Sequence, residues 1–515
     1  MKSRYPRNGV VAAGHHETAQ AASNILLQGG NAFDAAVAAM LAACVAEPVL
    51  ASLGGGGFLT AHPAGQRPLV YDFFSQTPMQ RQPLDAVAFQ PIEADFGTAS
   101  QTFHIGMGSI ATPGFIRGMF AIHRELCHLP LPLLMKPAIT LANGGVRVNQ
   151  FQHLIASIVS PILHSSPNAL SLHCSPDNSD QLINVNELHR QPKLADFLEA
   201  LAHEGEGLFY AGEISKRLIH DSIHMGGHLR QTDLNAYQVT KRTPLIYPYH
   251  QGTIVTNPLP SLGGTLIAFA LGLLEPRQID RLRVGSQAHL RQLARVICLT
   301  QQARADLGGK MTALLEPEIC NRYAQILKEG GICSRGTTQI SIADRHGNLA
   351  SMTLSNGEGS GYVLANTGIM LNNMLGEEDL NPHGFHLWPT NRRLASMMTP
   401  TLVHTHDGRT IVTGSGGSNR IRSAVLQVIS NLLDFNMSLE DAVTHPRIHF
   451  ENNLLSLEPE IDPQVMYALE DEFPNQQRWQ SRNLFFGGAH TVMRDNQGGL
   501  TGAGDMRRGG VAIVN

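Results

Sequence analysis

The chain has 515 residues, a formal net charge of -4 and 50 glycines; 43% of its residues are hydrophobic and 16% charged. This is the composition of a turn-rich globular enzyme and excludes a disordered or coiled-coil chain. No run of lysines or arginines occurs, so neither nucleic acid nor a membrane surface has electrostatic support as a partner.

Taken in chain order, the start "MKSRYPRNGVVAAGHHE" is polar and carries no apolar h-region, so the cytoplasm is the expected address. The segment "NAFDAAVAAMLAACVAEP" (31–48) predicts a helix capped by Asn31 and ending before Pro48. The longest apolar stretch, Ala35 to Val49, is broken by Glu47 and Pro48 and is too short to span a bilayer. "ASLGGGGFLTAHP" then reads as a glycine turn and a short strand. From about 130 to 250 the apolar spacing is helical, as in "KLADFLEALAHEGEGLFYAGEISKRLIHDSI". "GTIVTNPLPSLGGTLIAFALGLLE" predicts a strand, a Pro/Gly turn and a buried helix.

At Thr337 the pattern changes. "TTQISIADRHGNLASMTLS" alternates, turns at Asp344 to Asn348 and alternates again, the signature of a hairpin. Further strands are predicted at "RTIVTGSG" and "RGGVAIVN", with a helix at "IRSAVLQVISNLLDF". Length alone suggests two or more domains. No linker, repeat or low-complexity segment marks a boundary, so one large interwoven α/β domain fits better. The six cysteines are scattered without a C-x-x-C pair, which argues against a zinc site and a disulfide framework. Among 24 histidines there is no H-E-x-x-H, so no metal is expected.

A threonine pair entering a strand is most often an ordinary β-former. "CSRGTTQISIADRHGN" admits a second reading, cleavage between Gly336 and Thr337. Thr337 would then be an N-terminal nucleophile whose own α-amine, with an unperturbed pKa of roughly 7.7–8.0, serves as general base. An N→O acyl shift favours a small, permissive residue before the nucleophile, which Gly336 supplies. Backbone donors for the oxyanion could come from the glycine-rich turn "TGSGGSNRI" (413–421).

Several motifs occur in order: "GGNAFDAAVAA", "LGGGGF", "DFFSQTP", "GSIATPG", "PLPSLGG", "GTTQISIADRHGN", "NTGIMLNN", "ASMMTPTLV" and "TGSGGSNRI". Together they resemble the γ-glutamyltranspeptidase family, from near the N-terminus to about residue 450. The resemblance implies a four-layer αββα sandwich of the N-terminal-nucleophile hydrolase type, an α/β (α+β) fold. It also implies a precursor that cleaves itself into a large subunit, 1–336, and a small subunit, 337–515, which stay together as partners. No cofactor is implied, and the substrate is a small-molecule amide. Carried over, Thr337 matches the processing and catalytic threonine, and Gly417 and Ser418 the oxyanion-hole pair. The supporting second hydroxyl maps to Thr353 or Ser355. Glu377 or Glu378 falls where the family binds the substrate's α-amino group, and Ser396 where a serine holds the α-carboxylate.

The departures concern the glutamyl head. Phe74 stands at the position of the family's carboxylate-binding arginine, unless Arg81 takes over that contact. Met374 replaces a glutamine and Ala395 a serine. Losing a charge-assisted partner costs about 1.5–3 kcal/mol of binding. The expected function is a self-processing enzyme forming an acyl-enzyme on Thr337 from a γ-glutamyl, glutathione-type amide. The alternatives are an acylase of the same family acting on a non-glutamyl acyl amide (cephalosporin-acylase-like) and a non-catalytic scaffold or binder.

Overall fold

The structure, a computed structural model, describes residues 8–95, 100–307, 311–323, 336–381 and 384–515. Two antiparallel sheets form its centre. The first has seven strands in the order Val511–Val514, Gly9–Ala13, Thr338–Asp344, Leu349–Ser355, Gly56–His62, Leu69–Asp72 and Thr240–Arg242. The second has six, in the order Leu500–Ala503, Thr491–Arg494, Thr410–Thr413, Thr401–Thr405, Gly252–Thr256 and Leu245–Tyr249.

Strand alternation sorts the core into layers. In the Gly9–Ala13 strand, Val10 and Ala12 face one way and pack with Val255, Leu402, Val412 and Val492 of the second sheet. Val11 and Ala13 face the other way, into a core shared with the helices His16–Leu27 and Ala32–Ala46. On the far side of the second sheet, the helices Leu262–Leu274, Gln287–Leu307 and Arg420–Leu433 bury their apolar faces. The result is helix, sheet, sheet, helix, as expected.

Local signals account for most elements. Asn31 accepts from the backbone of Phe33 and Asp34, and Asp34 returns a bond to the Asn31 N–H, closing a capping box. The Ala32–Ala46 helix is buried throughout, as its alanine-rich composition requires. Strands from before and after residue 337 pair with each other in both sheets.

Candidate active site

The site forms where the Thr338–Asp344 strand begins. This strand is central, paired with Gly9–Ala13 on one side and Leu349–Ser355 on the other. The register sets Thr338 opposite Leu354 and Gln339 opposite Thr353, which brings Ser355 alongside Thr337 and Gly336. The Thr337 hydroxyl donates to the Gly336 carbonyl oxygen at 2.6 Å, and the Ser355 hydroxyl donates to the same oxygen at 3.0 Å. The Gly336 N–H donates to the carboxylate of Glu358. Gly336 is thus held at both its N–H and its carbonyl oxygen. Thr353, the other candidate for the second hydroxyl, turns to Gln339 Oε1 at 2.6 Å and does not line the pocket around Thr337.

Three further groups brace the threonines. Glu47, at the end of the Ala32–Ala46 helix, accepts from Thr338 Oγ1 at 2.6 Å and Thr18 Oγ1 at 2.8 Å. Burial raises its pKa to about 6, against the lowering effect of those two hydroxyls and of Arg508. Arg508 donates to the Thr337 carbonyl at 3.3 Å; burial and then Arg420 lower its pKa to about 10. Gly416 lies against the same carbonyl, since a Cβ there would come within 2.1 Å of the Thr337 oxygen. In the adjoining turn Gly417 and Ser418 take φ of 118° and 50°. That conformation suits glycine and strains a serine. The turn leads into the Arg420–Leu433 helix.

A pocket of about 440 Å³ opens in front of Thr337. Gly336, Thr337, Ser355 and Ser418 form its reactive wall, with Glu377, Asp379 and Ser396 as further polar groups. Phe74, Leu262, Met374, Leu380, Ala395, Met397, Met398 and Ile421 form the apolar remainder. Of the paired candidates, Glu377 is buried in this lining and Glu378 is exposed outside it. Ser396 Oγ accepts from the Met398 N–H at 3.0 Å. Phe74 is buried with its ring 5.5 Å from that of Phe58, so it fills the wall. Arg81 is not its substitute: it donates to the His386 carbonyl at 2.7 Å and lies over Trp388. Arg393 binds the Phe74 carbonyl, but its guanidinium also bonds Tyr237 and Gln238 and pairs with Asp72, outside the pocket. The pocket therefore collects Thr337, Ser355, Ser418, Glu377, Ser396, Phe74, Met374 and Ala395.

The gamma-glutamyltranspeptidase family model matches residues 18–515, nearly the whole chain. The chain belongs to the gamma-glutamyltranspeptidase family. The match runs past about residue 450, where the resemblance read from the motifs stops, to the C-terminus. Among curated relatives, the chain is 29% identical to a glutathione hydrolase proenzyme of Pseudomonas aeruginosa, over 86% of this chain and 83% of that one. It is 28% identical to an acylase ACY 1 proenzyme of a Pseudomonas strain, over 98% and 93%. Among solved structures, cephalosporin acylase from Bacillus halodurans superposes with a TM-score of 0.85 at 22% identity, covering 100% of this chain and 97% of that one. That likeness speaks to the fold. Both curated relatives are named as enzymes, one a glutathione hydrolase and the other an acylase, so family membership supports an enzyme without choosing the acyl group.

Glu47, Glu358, Asp379, Gly416 and Arg508 were not singled out by the sequence reading. Glu358 sits between two glycines in "GEGSG" and Arg508 ahead of two in "MRRGG", where a charge beside glycine was the available signal. Glu47 had none beyond closing an apolar helix.

Proposed function

We propose that this protein is a self-processing N-terminal threonine hydrolase or acyltransferase acting on small amides. The observation that carries the reading is the Gly336 carbonyl oxygen, held by the hydroxyls of Thr337 and Ser355. In processing, Thr337 Oγ1 adds to the Gly336 carbonyl carbon while Ser355 stabilises the developing oxyanion. The C–N bond breaks, the nitrogen takes the hydroxyl proton, and Gly336 becomes an ester on Thr337. Water then hydrolyses that ester, leaving a carboxylate at Gly336 and a free amine on Thr337.

In turnover the amine accepts the Thr337 hydroxyl proton as Oγ1 attacks a substrate amide. It returns the proton to the leaving amine, and the acyl-enzyme passes to water or an acceptor amine. The turn at Gly417 and Ser418 is the proposed source of oxyanion donors in this second reaction. Phe74, Met374 and Ala395 in the lining favour an acyl group other than γ-glutamyl, because a glutamyl carboxylate placed there would lose its charge-assisted partner. The acylase reading is therefore preferred over the glutathione-type one.

The test is an intact-mass spectrum of the wild type beside Thr337→Ala. The expected result is two chains for the wild type, the smaller beginning at Thr337, and one for the variant. A wild-type chain that stays whole through prolonged incubation overturns the proposal.

A further inference from the structure

We propose that Glu358 is the general base of the second step of self-cleavage: it activates the water that hydrolyses the Gly336 ester on Thr337. The inference rests on Thr337 being the nucleophile of the first step and adds the group that drives the second.

Glu358 is set on the residue that is cut. Its carboxylate accepts from the Gly336 N–H and also lies over the α-carbon: a Cβ on Gly336 would stand 2.9 Å from Oε2 and 3.2 Å from Oε1. The Glu358 N–H donates to Asn373 Oδ1 at 2.9 Å, and Gly357 and Gly359 on either side take φ of 64° and 90°. These left-handed glycines curl the chain so that Ser355 and Glu358 reach the carbonyl oxygen and the N–H of one residue. Other acids around the threonines meet other groups. Glu47 takes the hydroxyls of Thr338 and Thr18, Asp379 takes that of Ser418, and Glu377 lies against Gly357.

Holding an N–H does not require a charge, since a glutamine oxygen accepts as well. Burying a carboxylate costs several kcal/mol of lost hydration, and Glu358 is only 4% exposed. A group that must take a proton accounts for the charge. Arg508, on the Thr337 carbonyl, acts on it as a counter-charge. The bond to the N–H keeps a carboxylate oxygen within about 5.5 Å of the Gly336 carbonyl carbon. A water about 2.8 Å from the carboxylate and about 3 Å from the carbon spans that gap. A carboxylate has about four acceptor sites, so the N–H and the water are held together.

The step balances without a co-reactant. Glu358 takes a proton from water as the water oxygen adds to the Gly336 carbonyl carbon. The bond from that carbon to Thr337 Oγ1 breaks, and Glu358 returns the proton to Oγ1. Gly336 is left as a carboxylic acid, which ionises, and Thr337 with its hydroxyl and a free amine. A base separate from Thr337 matters here, because the freed amine is also the nucleophile that reverses the N→O shift.

Glu358→Gln keeps the shape and the N–H acceptor and removes the base. Full-length chains made by cell-free synthesis are incubated folded, with and without neutral hydroxylamine, which attacks esters directly, and fragment masses locate the cut. Unaided cleavage of Glu358→Gln is expected to slow about 10²-fold or more. Hydroxylamine is expected to release a fragment ending in a Gly336 hydroxamate, because the ester still forms. Glu358→Asp, with its charge one methylene further back, is expected to cleave more slowly than wild type with the same hydroxylamine response. It carries the test if Glu358→Gln shows no folding transition on heating.

In the variant that carries the test, unaided cleavage within threefold of wild type overturns this proposal. So does a folded chain that stays whole in hydroxylamine, since the block then precedes the ester. Both results leave Thr337 as the nucleophile. A wild-type chain that does not cleave itself, or a Thr337→Ala chain cut at residue 336 by the same hydroxylamine treatment, overturns the nucleophile reading beneath it.

Discussion

Removing the Ser355 hydroxyl is the sharpest test of how the precursor is poised. In the uncut chain this hydroxyl donates to the Gly336 oxygen at 3.0 Å and accepts from the Gly357 N–H at 3.1 Å. In the ground state the first bond is a neutral one, worth about 0.5–1.5 kcal/mol. When Thr337 adds to the carbonyl, the same oxygen becomes an anion, and a single oxyanion donor is worth about 2.7–4 kcal/mol. The difference, about 2–3 kcal/mol, is what Ser355→Ala adds to the barrier, a slowing of roughly 30- to 150-fold at 1.36 kcal/mol per decade. Folding survives, since the stability loss is that of one or two hydrogen bonds. The assay is cell-free synthesis with a radiolabel pulse, followed by the ratio of whole chain to fragments over time. Thr353→Ala is the matched comparison: its hydroxyl serves Gln339, and cleavage is expected to slow at most a few-fold. A Ser355→Ala half-life within threefold of wild type, or a larger effect from Thr353→Ala, would refute the reasoning.

Other perturbations follow from the same contacts. At Gly416→Ala the new methyl must displace the Thr337 carbonyl from 2.1 Å; overpacking against backbone costs about 1–3 kcal/mol, and cleavage should slow at least tenfold in the same time course. Glu47 has its pKa raised by burial to about 6 in the folded protein, from the ordinary glutamate value of 4.5. The folded state therefore holds the proton longer than the unfolded one, and the group's contribution to stability falls as pH rises between those values. Urea titrations at pH 5 and pH 8 should show wild type losing roughly 1 kcal/mol more than Glu47→Gln across that interval; equal losses would count against the assignment. The buried Asp505 pairs with Arg447 at 2.7 Å and Arg507 at 3.2 Å. Asp505→Asn leaves the buried Arg447 guanidinium without its carboxylate, while Arg507 keeps Glu458, and should lower stability by about 3–5 kcal/mol in chemical denaturation.

What could be read from the sequence was whatever depends on near neighbours in the chain. The Ala32–Ala46 helix shows its cap, its composition and its stop at Pro48 within eighteen residues, and the Thr338–Ser355 hairpin shows its alternation and turn. The choice between Thr353 and Ser355 was not readable, for a definite reason. Residues i and i+2 of a strand face the same way, so the alternation that predicts the hairpin treats both hydroxyls alike. Only the register, Thr338 against Leu354, puts one of them beside Gly336. Glu377 and Glu378 pose the same problem over one residue in a short turn. Glu47 reaches Thr338 across 291 positions, and such a contact leaves no local trace.

The position of the proposed cut also bears on why self-cleavage need not dismantle the protein. Gly336–Thr337 precedes a strand flanked on both sides, by Gly9–Ala13 from before the cut and Leu349–Ser355 from after it. The opposite edge of the Gly9–Ala13 strand pairs with the C-terminal Val511–Val514, and Gly56–His62 pairs with Leu349–Ser355. Hydrogen-bond ladders thus cross between the two segments three times in one sheet, and Gly252–Thr256 with Thr401–Thr405 adds a fourth crossing in the other. Breaking one peptide bond relaxes the backbone at Thr337 and frees its amine while every one of these ladders stays paired. A nucleophile generated at the edge of a sheet, or in a linker between domains, would lack that support. Here the bond proposed to break lies where four ladders join the segments on its two sides.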